Sequence, residues 1–315
     1  MEIWERIDSP PDEVLEAQAS STEELLTVRA WEVKESPTPL GYTVVQDWPK
    51  LPSGWALGQV AGVATDSKGR YYVFHRGDGA PPLICFDRKG EVLRSWGEGV
   101  FTRPHMVKCD GDDNIWAIDD NGHVLYLYSP EGEVLRTLGT KGVSGKDGSH
   151  FDKPTDIAYG REGGFYVSDG YGNKRVARFD EGLNFQGQWG SEGVEPGQFV
   201  LPHAITTDEE KRVYVADRNR WRVQIFSPEG ELLKMWTHIG KPFGIAYASD
   251  GHLYICDGTN ARVTKVETSG RIVGFFGTPG NNAGQISTAH DISVTPNGDI
   301  LLGHLDGRAQ LFSLD

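Results

Sequence analysis

The 315-residue sequence has few cysteines. Cys85, Cys109 and Cys256 are the only three, an odd number without the dense pairing of disulfide-stapled secreted domains. Residues 1–6 include neither the basic region nor the apolar run of a signal peptide. We therefore expect a cytoplasmic protein whose thiols are reduced and mostly buried.

Long apolar runs and an excess of basic charge are also missing. No stretch approaches the roughly 20 apolar residues that a membrane-spanning helix needs. Lys and Arg number 31 against 45 Asp and Glu, which gives a net charge of −14. The acidic residues are scattered, and such a surface disfavours nucleic acid and anionic lipid. We expect neither nucleic acid nor membrane as a partner. The expected ligand is a small molecule.

The sequence does contain a sixfold internal repeat. Each copy begins with a short segment such as 202–205, followed by a polar turn, an alternating apolar run such as 213–216, and two further short runs. The equivalent positions, spaced 40 to 50 residues apart, are Ala61, His105, Thr155, His203, Phe243 and His290. Short strands repeating at this interval predict four-stranded blades stacked around an axis. The fold class is therefore all-β, a six-bladed β-propeller.

The two ends of the repeat indicate how the ring closes. The last copy covers about 289–312 and lacks a fourth strand, whereas residues 42–48 form a matching strand before the first copy. Pairing the two would remove an exposed edge and give one closed domain over 41–315. Residues 1–40 stand outside the repeat, and 12–27 has the pattern of an amphipathic helix. We expect this extension to pack on the propeller or on a partner chain. In the second case the protein would form an oligomer through the extension.

Three of the six equivalent positions are histidines, on alternate copies. His105, His203 and His290 would therefore surround the central channel, because the innermost strands of a propeller line it. With only nine histidines among 315 residues, three at the same repeat position on alternate copies are improbable by chance. Three neutral imidazoles with an open fourth position suit catalytic zinc, and iron, cobalt or manganese would also fit. The pattern predicts a metal centre.

A second set of equivalent positions follows the next strand of each copy. Arg76 and Arg218 share one such position on the first and fourth copies. Paired guanidinium groups near a metal suit a carboxylate-bearing substrate, although each could instead form a salt bridge with a neighbouring blade. Tyr171 follows the same strand in the third copy. A phenol near a dication can act as a base, but from spacing alone an exposed loop tyrosine is more often inert.

Other polar residues at these positions are expected to be structural. The aspartates would accept hydrogen bonds from turn amides of their own blades. His75 and His304 occupy the same repeat position as these aspartates, and we expect them to have a structural role as well. The aspartates are Asp119, Asp169, Asp217 and Asp257.

Several short sequence motifs resemble those of the peptidyl-α-hydroxyglycine α-amidating lyases. These lyases are six-bladed propellers of the NHL-repeat type. The resemblance runs in order from about residue 42 to the end of the chain. It is carried by residues 58–68, 74–78, 138–140, 151–156, 168–173, 197–199 and 202–203. NHL scaffolds in general share the Gly-Gln-Phe phrase at 197–199 but lack the three spaced histidines and the Phe-His-Arg-Gly-Asp phrase at 74–78.

The resemblance implies a zinc-dependent lyase that splits an N-acyl α-hydroxyglycine into an amide and glyoxylate. His105, His203 and His290 would hold zinc, and Tyr171 would be the base. Arg76 and Arg218 would orient the substrate and its carboxylate. The family also has a structural calcium ion, for which the matching ligands are the Asp291 side chain and the backbone carbonyls of Val63 and Val107.

The chain departs from the family's pattern in two places. Secreted animal members have a disulfide beside the catalytic tyrosine, where this chain has Gly172. The Met-Pro before the third histidine is replaced by Thr288-Ala289. No partner hydroxylase domain or secretion signal is evident in the sequence, so we expect a cytosolic enzyme whose substrate is a small N-substituted hydroxy acid or another carbinolamine-like metabolite. A zinc hydrolase or hydratase acting on a small carboxylate, and a non-catalytic NHL interaction scaffold, are the alternatives.

Overall fold

The computed structural model describes residues 27–28, 38–160 and 163–314. Three strands precede the first blade: β1 (Thr27–Val28), β2 (Thr38–Pro39) and β3 (Tyr42–Val44). The helix predicted over 12–27 lies outside the described residues except for Thr27, which is in a strand. No helix within the described ranges is long and apolar enough to cross a membrane.

The described residues form six sheets, one for each blade. Four sheets have four strands, and two have a fifth strand, β1 or β2, from the N-terminal extension. Blades 1 to 3 contain β4 (Gln59–Thr65), β5 (Tyr71–Arg76), β6 (Leu83–Phe86), β7 (Val92–Trp96); β8 (Pro104–Cys109), β9 (Ile115–Asp119), β10 (Val124–Tyr128), β11 (Val134–Gly139); and β12 (Asp156–Tyr159), β13 (Phe165–Asp169), β14 (Arg175–Phe179), β15 (Phe185–Trp189). Blades 4 to 6 contain β16 (Pro202–Thr207), β17 (Val213–Asp217), β18 (Arg222–Phe226), β19 (Leu232–Trp236); β20 (Pro242–Tyr247), β21 (His252–Asp257), β22 (Arg262–Glu267), β23 (Ile272–Phe276); and β24 (Ala289–Val294), β25 (Ile300–His304), β26 (Ala309–Leu314).

Each blade is an antiparallel meander that runs from the axis outwards. The first strand of every blade contacts the first strand of the next, and β24 of the last blade contacts β4 of the first. The six inner strands therefore surround one channel, and the predicted six-bladed propeller is confirmed. Because the inner strands all run in the same direction, equivalent residues lie at the same level of the channel.

The ring closes as the sequence predicts. Strand β3 pairs antiparallel with β26, with Val44 opposite Phe312 and Tyr42 opposite Leu314. An early segment thus supplies the outer strand of the last blade and covers its edge.

Two short pieces of the N-terminal extension also belong to the propeller. Strand β1 pairs in parallel with β19 of blade 4, and β2 with β23 of blade 5. At Gly274, opposite Thr38, a Cβ atom would lie only 2.1 Å from the Thr38 carbonyl oxygen. The missing side chain permits this close pairing. Residues assigned to the extension from sequence therefore lie along the outer edges of two blades.

The core lies between adjacent blades. Side chains of facing sheets meet there, as in the contact between Trp116 of blade 2 and Phe165 of blade 3, whose ring centroids are 5.5 Å apart. Large buried side chains such as Trp236 and Tyr214 fill the same layer in blade 4. Cys85 and Cys256 are buried in it as free thiols, and Cys109 is a half-buried free thiol. This packing holds the inner strands rigidly around the channel.

Candidate metal centre

The three predicted histidines meet on the axis. His105, His203 and His290 lie at the beginnings of β8, β16 and β24, and all three are buried. Their candidate ligand atoms are within 4.8 Å of one another. The ring centroids of His203 and His290 are 4.7 Å apart, and those of His105 and His203 are 5.1 Å apart. We call this group the histidine ring.

One nitrogen of each imidazole is held by the next blade. The acceptors for Nδ1 of His105, His203 and His290 are, in order, the carbonyl oxygens of Thr155, Phe243 and Ala61, at 2.7, 2.6 and 2.7 Å. A carbonyl oxygen can only accept, so each Nδ1 carries the proton and each Nε2 has a free lone pair. Such contacts fix the tautomer and orientation of metal-binding histidines. The six equivalent positions thus alternate between a histidine and the carbonyl that orients it.

A metal ion fits this arrangement. Nε2 of His203 is buried and has no hydrogen-bond partner among the described residues. An unpaired buried acceptor is costly, and a bound cation would satisfy it. The histidine ring therefore supplies three neutral nitrogen ligands for a divalent metal.

The electrostatic surroundings keep the imidazoles neutral. Burial lowers the pKa of His105 and His203 well below the ordinary histidine value and lowers the pKa of His290 to about 3. The guanidinium groups of Arg76 and Arg218 add to the effect, because a second positive charge nearby is unfavourable. Neutral imidazoles are the form that binds a metal.

Tyr171 faces the histidine ring. It lies in the turn after β13, where its backbone amide donates to the Lys153 carbonyl over 3.2 Å. Its hydroxyl oxygen is 3.2 Å from Nε2 of His105, and its ring meets that imidazole edge-on at 5.4 Å between centroids. The phenol is therefore next to a candidate metal-binding nitrogen.

The two predicted arginines lie at the same mouth of the channel. Arg76 donates from Nε to the Pro104 carbonyl over 2.7 Å, and one of its terminal nitrogens is buried without a hydrogen-bond partner. The guanidinium carbon of Arg218 is 4.8 Å from the ring centroid of Phe243 and 5.9 Å from that of Tyr171. Neither side chain forms a salt bridge within the described residues. The guanidinium groups are available to an anionic ligand.

A third arginine at this mouth was not predicted from the sequence. The guanidinium carbon of Arg103 lies 5.7 Å from the Tyr171 ring centroid, and its NH1 donates to Asp120 over 2.9 Å. Burial raises the pKa of Asp120 to about 6 although Arg103 opposes the shift. Lys241 lies beside Phe243, with its ammonium 5.7 Å from the ring centroid. Arg103 and Lys241 both directly precede the proline that opens an inner strand, a pattern that could have identified them.

This mouth is electropositive although the whole chain is acidic. Burial lowers the pKa of Arg76, Arg218 and Lys241, and the neighbouring cations lower each further. Half-buried cations that repel one another favour an incoming anion. The geometry therefore places a positively charged wall beside the histidine ring.

Residues expected to be structural have local partners. His75 accepts a hydrogen bond from the Gly58 amide at Nδ1, and its Nε2 donates to the Pro81 carbonyl. Asp119 accepts from the backbone amides of Thr102, Arg103 and Gly122, and the other three aspartates bind turn amides of their own blades. His304 contacts Ser287 and Gln310.

The Asp291 carboxylate, implied as a calcium ligand, is already paired with groups of the protein. Asp291 is buried one residue after His290, and its Oδ2 accepts from the Val63 amide over 3.0 Å. Its Oδ1 accepts from the ammonium of Lys108, also over 3.0 Å. Lys108 directly follows Val107, the other residue implied for calcium. A cation that belongs to the chain thus stands where the calcium was expected.

Fold and site together define a six-bladed propeller with three histidines positioned on its axis to bind a metal. Residues 151–179 match the NHL repeat family model. Peptidyl-glycine alpha-amidating monooxygenase B of Xenopus laevis is 32% identical over 307 residues, covering 84% of this chain and 34% of that protein. The probable peptidyl-alpha-hydroxyglycine alpha-amidating lyase pgal-1 of Caenorhabditis elegans is 30% identical over 224 residues, covering 60% of this chain and 64% of that protein.

A third relative supports the same family over more of its length. NHL repeat-containing protein 3 of Mus musculus is 31% identical over 275 residues, covering 82% of this chain and 75% of that protein. The chain belongs to the NHL-repeat propeller family that includes the peptidyl-α-hydroxyglycine α-amidating lyases. A solved virginiamycin B lyase from Staphylococcus aureus shares the fold, with a TM-score of 0.59 at 14% identity over 82% of this chain and 98% of that one.

Proposed function

We propose that the protein is a metal-dependent lyase. It cleaves the C–N bond of an N-acyl α-hydroxyglycine, or of a similar small carbinolamine, and releases an amide and glyoxylate. The observation that carries the proposal is the position of the Tyr171 hydroxyl, 3.2 Å from Nε2 of His105 and beside the Arg218 guanidinium. A base, a metal centre and a carboxylate-binding wall are what this reaction needs.

The histidine ring would hold the metal through its three Nε2 atoms. Zinc suits three neutral imidazoles with an open position, and we propose it as the ion. A bound divalent metal would supply Lewis acidity, lowering the cost of negative charge on the substrate's hydroxyl oxygen. Nδ1 contacts with the next blade keep the three ligands aimed at the axis.

Tyr171 moves the proton. Its phenolate oxygen takes the proton of the substrate's hydroxyl group, and the electron pair of that O–H bond forms the C=O bond of glyoxylate. The C–N bond breaks at the same carbon, and the amide nitrogen accepts a proton as it leaves. No water molecule is consumed, so the overall change is an elimination.

Arg76 and Arg218 orient the substrate. A guanidinium group matches the two oxygens of a carboxylate with parallel hydrogen bonds. Arg76 has a buried nitrogen without a partner, so binding a carboxylate there would satisfy it. Fixing the carboxylate would place the substrate's hydroxyl group beside the histidine ring and within reach of Tyr171.

A product assay with α-hydroxyhippurate tests the proposal. We expect equal amounts of benzamide and glyoxylate, measured by chromatography against a His203→Ala control that corrects for spontaneous breakdown. His252→Ala, which changes a histidine on the second strand of blade 5, should behave like the unaltered protein. Formation of benzoate instead of benzamide would favour the hydrolase alternative. Glyoxylate release no faster than in His203→Ala would contradict the lyase assignment.

A further inference from the structure

We propose that the ammonium of Lys108 takes the place of a structural calcium ion and closes the channel below the metal centre. Lys108 Nζ lies 3.0 Å from Asp291 Oδ1 and 3.8 Å from Asp156 Oδ1. We call these three residues the lysine bridge. Both carboxylates are fully buried, so the contact is made inside the propeller.

The two carboxylates are equivalent across the axis. Asp156 and Asp291 occupy the same repeat position, three blades apart. Each accepts one hydrogen bond from the backbone amide of the following residue and one from an amide of the next blade: Ile157 and Ile205 for Asp156, Ile292 and Val63 for Asp291. Four amides and one ammonium thus satisfy the pair, as buried charges require.

A calcium ion does not fit beside this ammonium. Calcium takes six to eight oxygen ligands at about 2.3–2.6 Å, and a positive charge already lies between the two carboxylates. Lys108 is the only lysine or arginine on the six inner strands, all of which are described. It also lines a cavity of about 400 Å³ where those strands end. The lysine bridge therefore separates this cavity from the histidine ring above it.

Calcium content and thermal stability test the lysine bridge. After equilibrium dialysis against calcium, the unaltered protein should retain none, and EGTA should leave its melting temperature unchanged in a His203→Ala background, where no transition metal contributes. Lys108→Ala should melt roughly 10 °C lower, by the cost of an unpaired buried carboxylate. Calcium should restore much of that loss, because the carboxylates are then free to bind it.

The controls separate a local effect from a general one. Lys89→Ala removes an exposed lysine and should change neither the melting temperature nor its response to calcium. One tightly bound calcium per chain in the unaltered protein would overturn the proposal, even if Lys108→Ala failed to fold. Equal melting temperatures for Lys108→Ala and the unaltered protein in EGTA would overturn it as well.

A separate cavity supports a second inference, which rests on the proposed function. We infer that the acyl group of the substrate binds in a cleft of about 710 Å³ between blades 1 and 2. Arg76, Arg103 and Pro104 line its inner end. Pro104 precedes His105, and Arg103 faces Tyr171, so the cleft continues directly into the metal centre.

The walls of the cleft suit a medium-sized, partly apolar group. The apolar side chains that line it are half-buried: Trp55, Ala80, Pro81, Pro82 and Phe101. Covering such apolar surface with an apolar group is favourable. With the carboxylate held at the arginines, an acyl chain leaving the amide nitrogen towards blades 1 and 2 would enter this space. An aromatic acyl group would bury more apolar surface here than an acetyl group.

Two substrates distinguish this cleft from a general effect. Trp55→Ala should lower kcat/KM at least fivefold for the benzoyl substrate α-hydroxyhippurate, mainly through KM, and less than twofold for N-acetyl α-hydroxyglycine. Phe185→Ala, which changes an exposed aromatic residue on the outer strand of blade 3, should alter kcat/KM for neither substrate. Equal effects of Trp55→Ala on both substrates, or none, would overturn the cleft assignment while leaving the lyase intact. If the unaltered protein turned over neither substrate, the proposed function itself would fail.

Discussion

Two neighbouring levels of the same channel use buried polar side chains in opposite ways. The histidine ring points three neutral nitrogen lone pairs at the axis, and that of His203 has no partner within the described part of the chain. One residue further along the inner strands, the two carboxylates of the lysine bridge are matched by an ammonium from β8. The first level offers its ligand atoms to an ion from solution, whereas the second carries its own cation.

The difference shows how a binding centre and a structural centre can share one scaffold. Histidines that are to hold an exchangeable metal keep Nε2 free of protein partners, while the hydrogen bond of Nδ1 fixes the orientation of each ring. A level that only closes the channel satisfies every charge internally, which avoids the cost of an uncompensated buried group. The two levels should therefore respond differently to substitution.

The largest effect is expected at the histidine ring. His203→Ala removes one of three metal ligands, so bound transition metal should fall from about one per chain to near zero, and lyase activity to background. Elemental analysis and the glyoxylate assay measure both. Retention of metal and activity in this variant would mean that the ring is not the metal centre.

Tyr171→Phe should separate chemistry from metal binding. Removing the hydroxyl leaves the three imidazoles in place, so metal content should stay the same while kcat falls about 10² to 10⁴-fold, the usual contribution of a positioned base. Steady-state kinetics on metal-saturated protein check this. An unchanged kcat would assign the proton transfer to another group.

Lys108→Met should show the reverse pattern, with stability lost and metal kept. Without its ammonium the carboxylate pair is buried and unpaired, so the free energy of unfolding should fall by roughly 3–5 kcal/mol. Denaturant unfolding measures it, with Lys89→Met as the matched exposed control. Loss of the transition metal together with stability would show that the two levels are not independent.

The smallest effect is expected from Arg103→Gln. Losing one charge-assisted contact with the substrate's carboxylate should raise KM about 10-fold and change kcat little. Lys141→Gln, which changes an exposed lysine outside the histidine ring, is the control. The same loss for a substrate analogue in which an amide replaces the carboxylate would indicate that Arg103 acts only by supporting Asp120.

Much of the fold follows from the periodicity of the sequence. A propeller places equivalent residues at equal levels, so the repeat alone brings His105, His203 and His290 together and pairs β3 with β26. The same logic could have found Asp156 opposite Asp291, because both follow the ring position directly. Strands β1 and β2 could not be predicted, since two-residue edge pairings leave no periodic pattern.

The details of the site depend on side-chain paths that a repeat does not determine. Tyr171 lies in a loop, and its direction follows from backbone contacts such as the one with Lys153. Lys108 belongs to a position that is small or uncharged in the other blades, so its reach to Asp156 and Asp291 is visible only in three dimensions. Family resemblance implies calcium at Asp291, whereas the contact of Asp291 with Lys108 is visible only in the folded structure.

The most direct test is the metal content of the protein after equilibrium with zinc and calcium together. We predict about one zinc and no retained calcium per chain in the unaltered protein. His203→Ala should retain no zinc. Two metals per chain, one of them calcium, would contradict the lysine bridge. No transition metal at all would contradict the histidine ring as a metal centre and, with it, the proposed lyase.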